Sequence, residues 1–274
     1  MNELAVQWDR GDDRGEQLAE RLQLPLVSAP ERHPGLLLSY EQHRLTLSLP
    51  SDRGAGSVCV DFTDARLLFR LAQPLSREAA VKAVGGCVSP QTGATAANRV
   101  IDATAGLGLD GLILAAAGWQ VDLIEQSPVI HALLEDGLSR ARQAVALRDQ
   151  PSQNVRQMSS GLTGILERLH LCDPGDSAVV MPTLAPARVI YLDPMFPDRD
   201  KAARVKKNRY LLQQLHGAES IGSGLLPLAL TLASKVVVKR PRLAECLDGI
   251  KPASSLNGKT SRFDIYVGAA RELN

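Results

Sequence analysis

The stretch "RVIDATAGLGLDGLILAAAGWQVDLIE", residues 99–125, decides the fold. An apolar run ends in Asp102, a glycine-spaced loop follows, and "LDGLILAAAG" predicts a helix closed by Gly118. "WQVDLIE" then reads as a second strand ending in another acid, Glu125. Downstream, "SPVIHALLEDGLSRARQAVAL" predicts a long helix with Ser127 as its cap and Pro128 at its first position. Further strands are expected at "NVRQM" (154–158), "ARVIYLD" (187–193), "SKVVVKRP" (234–241) and "RFDIYVG" (262–268). Apolar strands alternating with helices give an α/β fold with a mostly parallel sheet covered on both faces. Such sheets bind ligands beyond the carboxyl ends of their strands, near the point where strand order reverses. Asp102, Glu125 and Asp193 would share that rim.

Residues 1–90 have a different texture. "GLLLSYEQHRLTLSLP" (35–50) and "GSVCVDF" (56–62) alternate apolar and polar residues between Gly, Pro and Ser, as short antiparallel strands do. "SREAAVKAVG" (76–85) reads as a helix with Ser76 as cap, Glu78 in its first turn and Gly85 after its end. The expected organisation is therefore a small N-terminal α/β domain or lid over 1–90 and a larger sheet domain over 91–274. A length of 274 residues accommodates both.

Net charge is +1, so any nucleic-acid binding must come from a local basic patch. No apolar run reaches the roughly 18 residues that span a membrane, so no membrane partner is expected. Cys59, Cys87, Cys172 and Cys246 form no CxxC pair and read as free thiols of a cytoplasmic protein. The five scattered histidines form no HxxxH pair, and no protein metal site is expected.

The loop "DATAGLGLDG" holds a literal GxGxxG at Gly106, Gly108 and Gly111, with Glu125 placed to hold a ribose hydroxyl. That is the pattern of a dinucleotide site, but the charges oppose it: Asp102 and Asp110 would both face an anionic pyrophosphate. S-adenosylmethionine has no phosphate, carries a sulfonium and an α-ammonium, and offers a ribose to Glu125. The alternatives are glycines that only let helix and strand pack closely, or a nicotinamide cofactor on the literal motif.

"YLDPMFPDRD" (191–200) puts an acid between a buried strand and a proline. "DPMF" resembles the (D/N)PP(F/Y) signature of amino-group methyltransferases, with Met195 in place of the second proline. The exocyclic amine of a base has its lone pair delocalised into the ring. An acceptor fixed on its N–H rotates the amine and aims the lone pair at the donor methyl. Asp193 can supply that acceptor, as can the Pro194 carbonyl, and Phe196 offers a face for the base. The bland reading is that Asp193 caps a turn and Phe196 is core. Next, "DRDKAARVKKNR" (198–209) carries Arg199, Lys201, Arg204, Lys206, Lys207 and Arg209, a phosphate grip for RNA or a solvated helix face.

Taken together, "VDF" (60–62), "AVKAVG" (80–85), "VIDATAGLGLDG" (100–111), "IEQSPVIHALLEDGL" (124–138), "VIYLDPMFP" (189–197), "VKKNR" (205–209), "VVVKRP" (236–241) and "RFDIY" (262–266) resemble the bacterial ribosomal RNA small subunit methyltransferase J family. The resemblance implies a Rossmann-like class I methyltransferase sheet and transfer of a methyl group from S-adenosylmethionine to N2 of one guanine in 16S ribosomal RNA. Its partner would be that RNA or the small ribosomal subunit. Carried over by position, the cofactor contacts would be Leu109-Asp110, Glu125-Gln126, Ser159-Ser160 (or Ser160-Gly161) and Asp193. This chain has Leu109 and Gln126 where the family usually has arginine, and both changes leave the acids intact. It also reads "LLFRLAQPLSREA" (67–79) where the family tends to carry a basic, glycine-rich stretch. Competing readings are an amino-methyltransferase acting on DNA adenine or a protein side chain, an NAD-dependent oxidoreductase, and a non-catalytic RNA-binding protein.

Overall fold

The computed structural model describes residues 3–9, 11–52, 54–89, 95–148, 156–194, 211–212, 214–215, 224–258 and 260–269. The chain forms two compact units. One holds Met1–Asp61 and Ala132–Gly137; the other holds Phe62–His131, Leu138–Met195 and Ile221–Asn274.

The first unit carries a five-stranded sheet. Its elements are β1 (Leu4–Gln7), α1 (Asp13–Leu22), β2 (Leu26–Val27), β3 (Leu36–Glu41), β4 (Arg44–Ser48) and β5 (Ser57–Val58). Strands β3, β4 and β5 are antiparallel, as their alternation predicts, whereas β1 joins β2 and β3 in parallel. The β3–β4 turn is two residues long, with Gln42 and His43 at φ 49 and 64. A two-residue turn left-handed at both positions matches the twist of a hairpin.

The second unit opens with α2 (Ala65–Leu71) and α3 (Ala79–Val84), then alternates β6 (Arg99–Asp102), α4 (Leu109–Ala116), β7 (Gln120–Leu123), α5 (Pro128–Arg148, except its Ala132–Gly137 turns, which belong to the first unit), α6 (Arg156–Glu167), β8 (Leu169–Leu171), α7 (Ser177–Val180) and β9 (Val189–Leu192). It closes with α8 (Leu225–Leu232), β10 (Lys235–Pro241), β11 (Ser254–Asn257) and β12 (Ser261–Val267). Residues 62–89, grouped with the N-terminal part on sequence texture, fall in this unit, where α3 packs on α4, β10 and β12. The α3 helix begins at Ala79 with Glu78 at its cap position, and Ser76 lies in a preceding 3-10 turn, so the expected Ser76 cap is not formed.

The seven-stranded sheet has the order β11-β12-β10-β9-β6-β7-β8. Strands β8, β7, β6, β9 and β10 are mutually parallel, and β12 runs against both β10 and β11. All four residues of β9 are buried, as are the last three of β6 and β7. Chain order reverses between β6 and β9, so the crevice for a ligand opens beyond Asp102 and Leu192.

Of the expected third strand at 154–158, Asn154 and Val155 lie outside the described residues, and 156–158 are not a strand. Residues Arg156–Glu167 are helix α6, whose Leu162 and Leu166 are buried one turn apart, a helical period rather than a strand alternation. The third strand is Leu169–Leu171, only three residues around a polar His170.

Candidate active site

The glycine loop comes first. Beyond Asp102 the chain turns through Gly106 (φ 55) and Gly108 (φ 73), and Gly108 is the N-cap of α4. Both sit in the left-handed region that side chains disfavour. Gly111 has another purpose: a Cβ there would lie 2.4 Å from Cδ2 of Leu123, so it lets α4 approach β7. Two glycines shape the loop and one packs the helix. Leu109 is exposed on the first turn of α4, and Asp110 follows it.

Glu125 ties this loop to the next strand. Its buried carboxylate accepts from the Gly106 N–H at 2.9 Å and the Ser127 N–H at 2.7 Å. Burial raises its proton affinity, and those backbone donors, with Gln126, oppose the rise. Two ionised oxygens offer about four acceptor sites, so these bonds leave room for ribose hydroxyls. Gln126 is exposed, and the Ser127 hydroxyl accepts from Ile130 N–H at 3.4 Å as the expected cap.

Asp102, Asp110 and Asp193 lie together. Asp102 is 1% exposed and accepts from the Thr104 N–H at 3.3 Å. Burial, then the Asp110 and Asp193 carboxylates, push its proton affinity well above the ordinary carboxylate range. Asp193 follows β9; its N–H donates to Thr104 Oγ1 at 2.6 Å, and Pro194 after it is buried. Asp110 accepts from the Tyr191 hydroxyl at 2.8 Å.

Lys239 completes the cluster, and sequence reasoning missed it. Its ammonium donates to Asp110 Oδ2 at 2.6 Å and to Asp193 Oδ2 at 2.7 Å. Burial alone would lower its pKa; Asp193 and Asp110 outweigh that and raise it. The available signal was a lysine directly after three valines on the strand that pairs with β9, where Val238 is opposite Leu192.

Other candidate residues are not brought together. Ser159, Ser160 and Gly161 lie inside α6, upstream of the third strand instead of beyond its carboxyl end. The segment that does reach the rim after β8 is 175–177: Gly175 N–H donates to the Glu125 carbonyl at 3.2 Å and the Ser177 hydroxyl to the Ala103 carbonyl at 2.5 Å. Phe196, Arg199, Lys201, Arg204, Lys206, Lys207 and Arg209 lie outside the described residues.

Away from this rim, Asp122, His170 and Cys172 form a group whose ligand atoms lie within 4.8 Å of one another. Asp122 is already engaged by Arg99 at 3.1 Å and His170 at 3.0 Å. Burial pushes the Cys172 thiol up to about 11, so it is protonated at neutral pH. The group reads as a structural ion pair. Among the described residues no helix is long and apolar enough to cross a membrane.

A donor set of carboxylates with no cationic side chain in the glycine loop fits a phosphate-free, cationic nucleoside. Known proteins agree. The SAM_MT family model of SAM-dependent methyltransferases matches residues 17–268. The ribosomal RNA small subunit methyltransferase J of Pseudomonas syringae pv. syringae is 40% identical over 259 residues, covering 93% of this chain and 87% of that protein. The protein of the same name from Pseudoalteromonas atlantica is 43% identical over 238 residues, covering 86% of each. The crystal structure of a SAM-dependent methyltransferase from Neisseria gonorrhoeae superposes with a TM-score of 0.66 at 30% identity, covering 98% of this chain and 97% of that one.

Proposed function

The chain belongs to the SAM_MT family of S-adenosylmethionine-dependent methyltransferases, and from that premise we propose that it methylates the exocyclic N2 amine of one guanine in 16S ribosomal RNA. It is an α/β methyltransferase, and its cofactor is S-adenosylmethionine. The nicotinamide reading of the glycine motif falls with that membership. The relatives named above are ribosomal RNA methyltransferases by name, which supports the RNA substrate. We place the enzyme in the cytoplasm, where that RNA is.

One observation carries the site assignment. Asp193 stands at the tip of β9, beside the glycine loop, with its backbone fixed by Thr104 and its carboxylate held by Lys239. Bound S-adenosylmethionine supplies an electrophilic methyl group. Gly106, Gly108, Leu109 and Asp110 would shape the wall of its site, Glu125 and Gln126 would hold its ribose, and buried Asp102 would line the site beside them. Asp193 and the Pro194 carbonyl accept from the guanine N2–H and turn the amine lone pair toward the methyl. In this reading Phe196 stacks on the base, and Arg199, Lys201, Arg204, Lys206, Lys207 and Arg209 grip phosphates.

The test is mass mapping of modified nucleotides after the protein, S-adenosylmethionine and unmodified small subunits are incubated together. One new N2-methylguanine in 16S RNA is expected. A methyl group on adenine or protein, or none, overturns the assignment.

A further inference from the structure

We propose that Lys239 is a positioning residue for methyl transfer: its ammonium anchors the Asp193 carboxylate to Asp110, so that the acceptor for the amine is set from the cofactor loop. This inference rests on the function proposed above. Three observations carry it. First, the bridge joins elements distant in sequence, because Asp110 opens α4 after the glycine loop and Asp193 leaves β9. A single Nζ within 2.7 Å of both couples the wall of the cofactor site to the residue that meets the substrate. Second, Asp110 Oδ2 also accepts from the Tyr191 hydroxyl, so the far end of the bridge is fixed by β9 itself. Third, the charges require a cation. Asp102, Asp110 and Asp193 come together from β6, α4 and β9, and without the ammonium they would repel one another.

Stability alone does not account for this lysine. Its side chain is 27% exposed, so the charge is largely desolvated. Replacing such a buried charge cluster as a whole by apolar side chains is often neutral or stabilising, whereas removing the lysine alone leaves two carboxylates without their shared cation. Nor does Lys239 serve cofactor affinity, since a positive charge beside a sulfonium opposes binding. What remains is geometry. With Oδ2 of Asp193 held at 2.7 Å, the plane of the carboxylate is set before the amine arrives.

The roles separate in Lys239→Met, which keeps the length and removes the charge. Turnover on small subunits at saturating S-adenosylmethionine should fall by about 100-fold, the scale of a displaced reacting group. Affinity for S-adenosylhomocysteine by calorimetry should hold, while the melting temperature falls because Asp110 and Asp193 lose their shared cation; turnover is therefore read well below that temperature. Lys239→Arg, which can still bridge two carboxylates, should recover most of the turnover. If Lys239→Met does not fold, Lys239→Gln takes its place with the same expected fall. Undiminished turnover in the uncharged variant overturns the proposal, as does a fall matched by lost S-adenosylhomocysteine binding. A wild-type protein that methylates no guanine contradicts the proposed function, whereas an active wild type with an equally active Lys239→Met contradicts the role of Lys239 alone.

Discussion

Asp102 and Asp122 stand on neighbouring parallel strands, one register position apart, and both are buried. The pleat sends adjacent positions to opposite faces, and the two carboxylates meet opposite surroundings. Asp122 has Arg99 and His170 within 3.1 Å. Asp102 accepts a backbone N–H and faces two further carboxylates, Asp110 and Asp193, with Lys239 beyond. An acid with its own cation completes its electrostatics inside the fold. One whose proton affinity is raised first by its burial and then by like charges beside it is different, and a cationic ligand relieves the second part. That contrast separates Asp122 from Asp102 on the same sheet, while Asp110 and Asp193 on the rim share one cation, Lys239.

The functional side of the contrast predicts the largest effect. Asp193→Ala should retain the fold and lose on the order of 100- to 1,000-fold in methylation rate at saturating S-adenosylmethionine, the scale for one preorganised polar group at a reaction centre. Asp193→Asn keeps an acceptor oxygen and should fall between Ala and wild type. A near wild-type rate in Asp193→Ala would make this acid a turn cap.

Glu125→Ala should weaken S-adenosylmethionine binding by roughly 1.5–3 kcal/mol, as loss of a charged acceptor does. Calorimetry reads it directly, and unchanged affinity would leave Glu125 only its bonds to Gly106 and Ser127. Asp122→Ala probes the structural side. It leaves the Arg99 guanidinium without this carboxylate and should cost about 1–3 kcal/mol of stability in urea unfolding, while cofactor affinity holds. A variant as stable as wild type but poor in cofactor binding would reverse the two roles.

The smallest effect concerns pH. Because Asp102 has a raised native pKa, the folded protein keeps its proton where the unfolded chain has lost it. Stability therefore falls as pH rises from roughly 4, the ordinary carboxylate value, up through the native pKa. Asp102→Asn cannot titrate, and its amide oxygen can still accept from Thr104. Its melting temperature should decline less than that of wild type over that window. Parallel curves would mean that neither burial nor the neighbouring carboxylates raise the Asp102 pKa.

Much of this was legible in the residues. The strands β6, β7, β9 and β10 are short apolar runs because both faces of a parallel sheet are covered, and the acids at or just beyond the ends of β6, β7 and β9 stand out against them. The glycine loop announced its turn. It did not announce that Gly111 is needed by Leu123, a contact across elements. Strand β8 was hidden because three residues around His170 carry no period, and α6 was misread because its apolar spacing shows only over its later half. All four residues of β11 are exposed, so that strand has no buried face to read and exists through its pairing with β12. Lys239 was visible as a residue but not as a partner, because Asp110 and Asp193 lie 129 and 46 positions away along the chain.

The central claim is that carboxylates crowded on this rim await a cationic, phosphate-free cofactor. Calorimetric titration of the wild-type protein with S-adenosylmethionine, S-adenosylhomocysteine and NAD tests it most directly. The first two should bind with micromolar-class affinity in the presence of a chelator, and NAD should give no binding heat. NAD bound with S-adenosylmethionine ignored would contradict the account at its root.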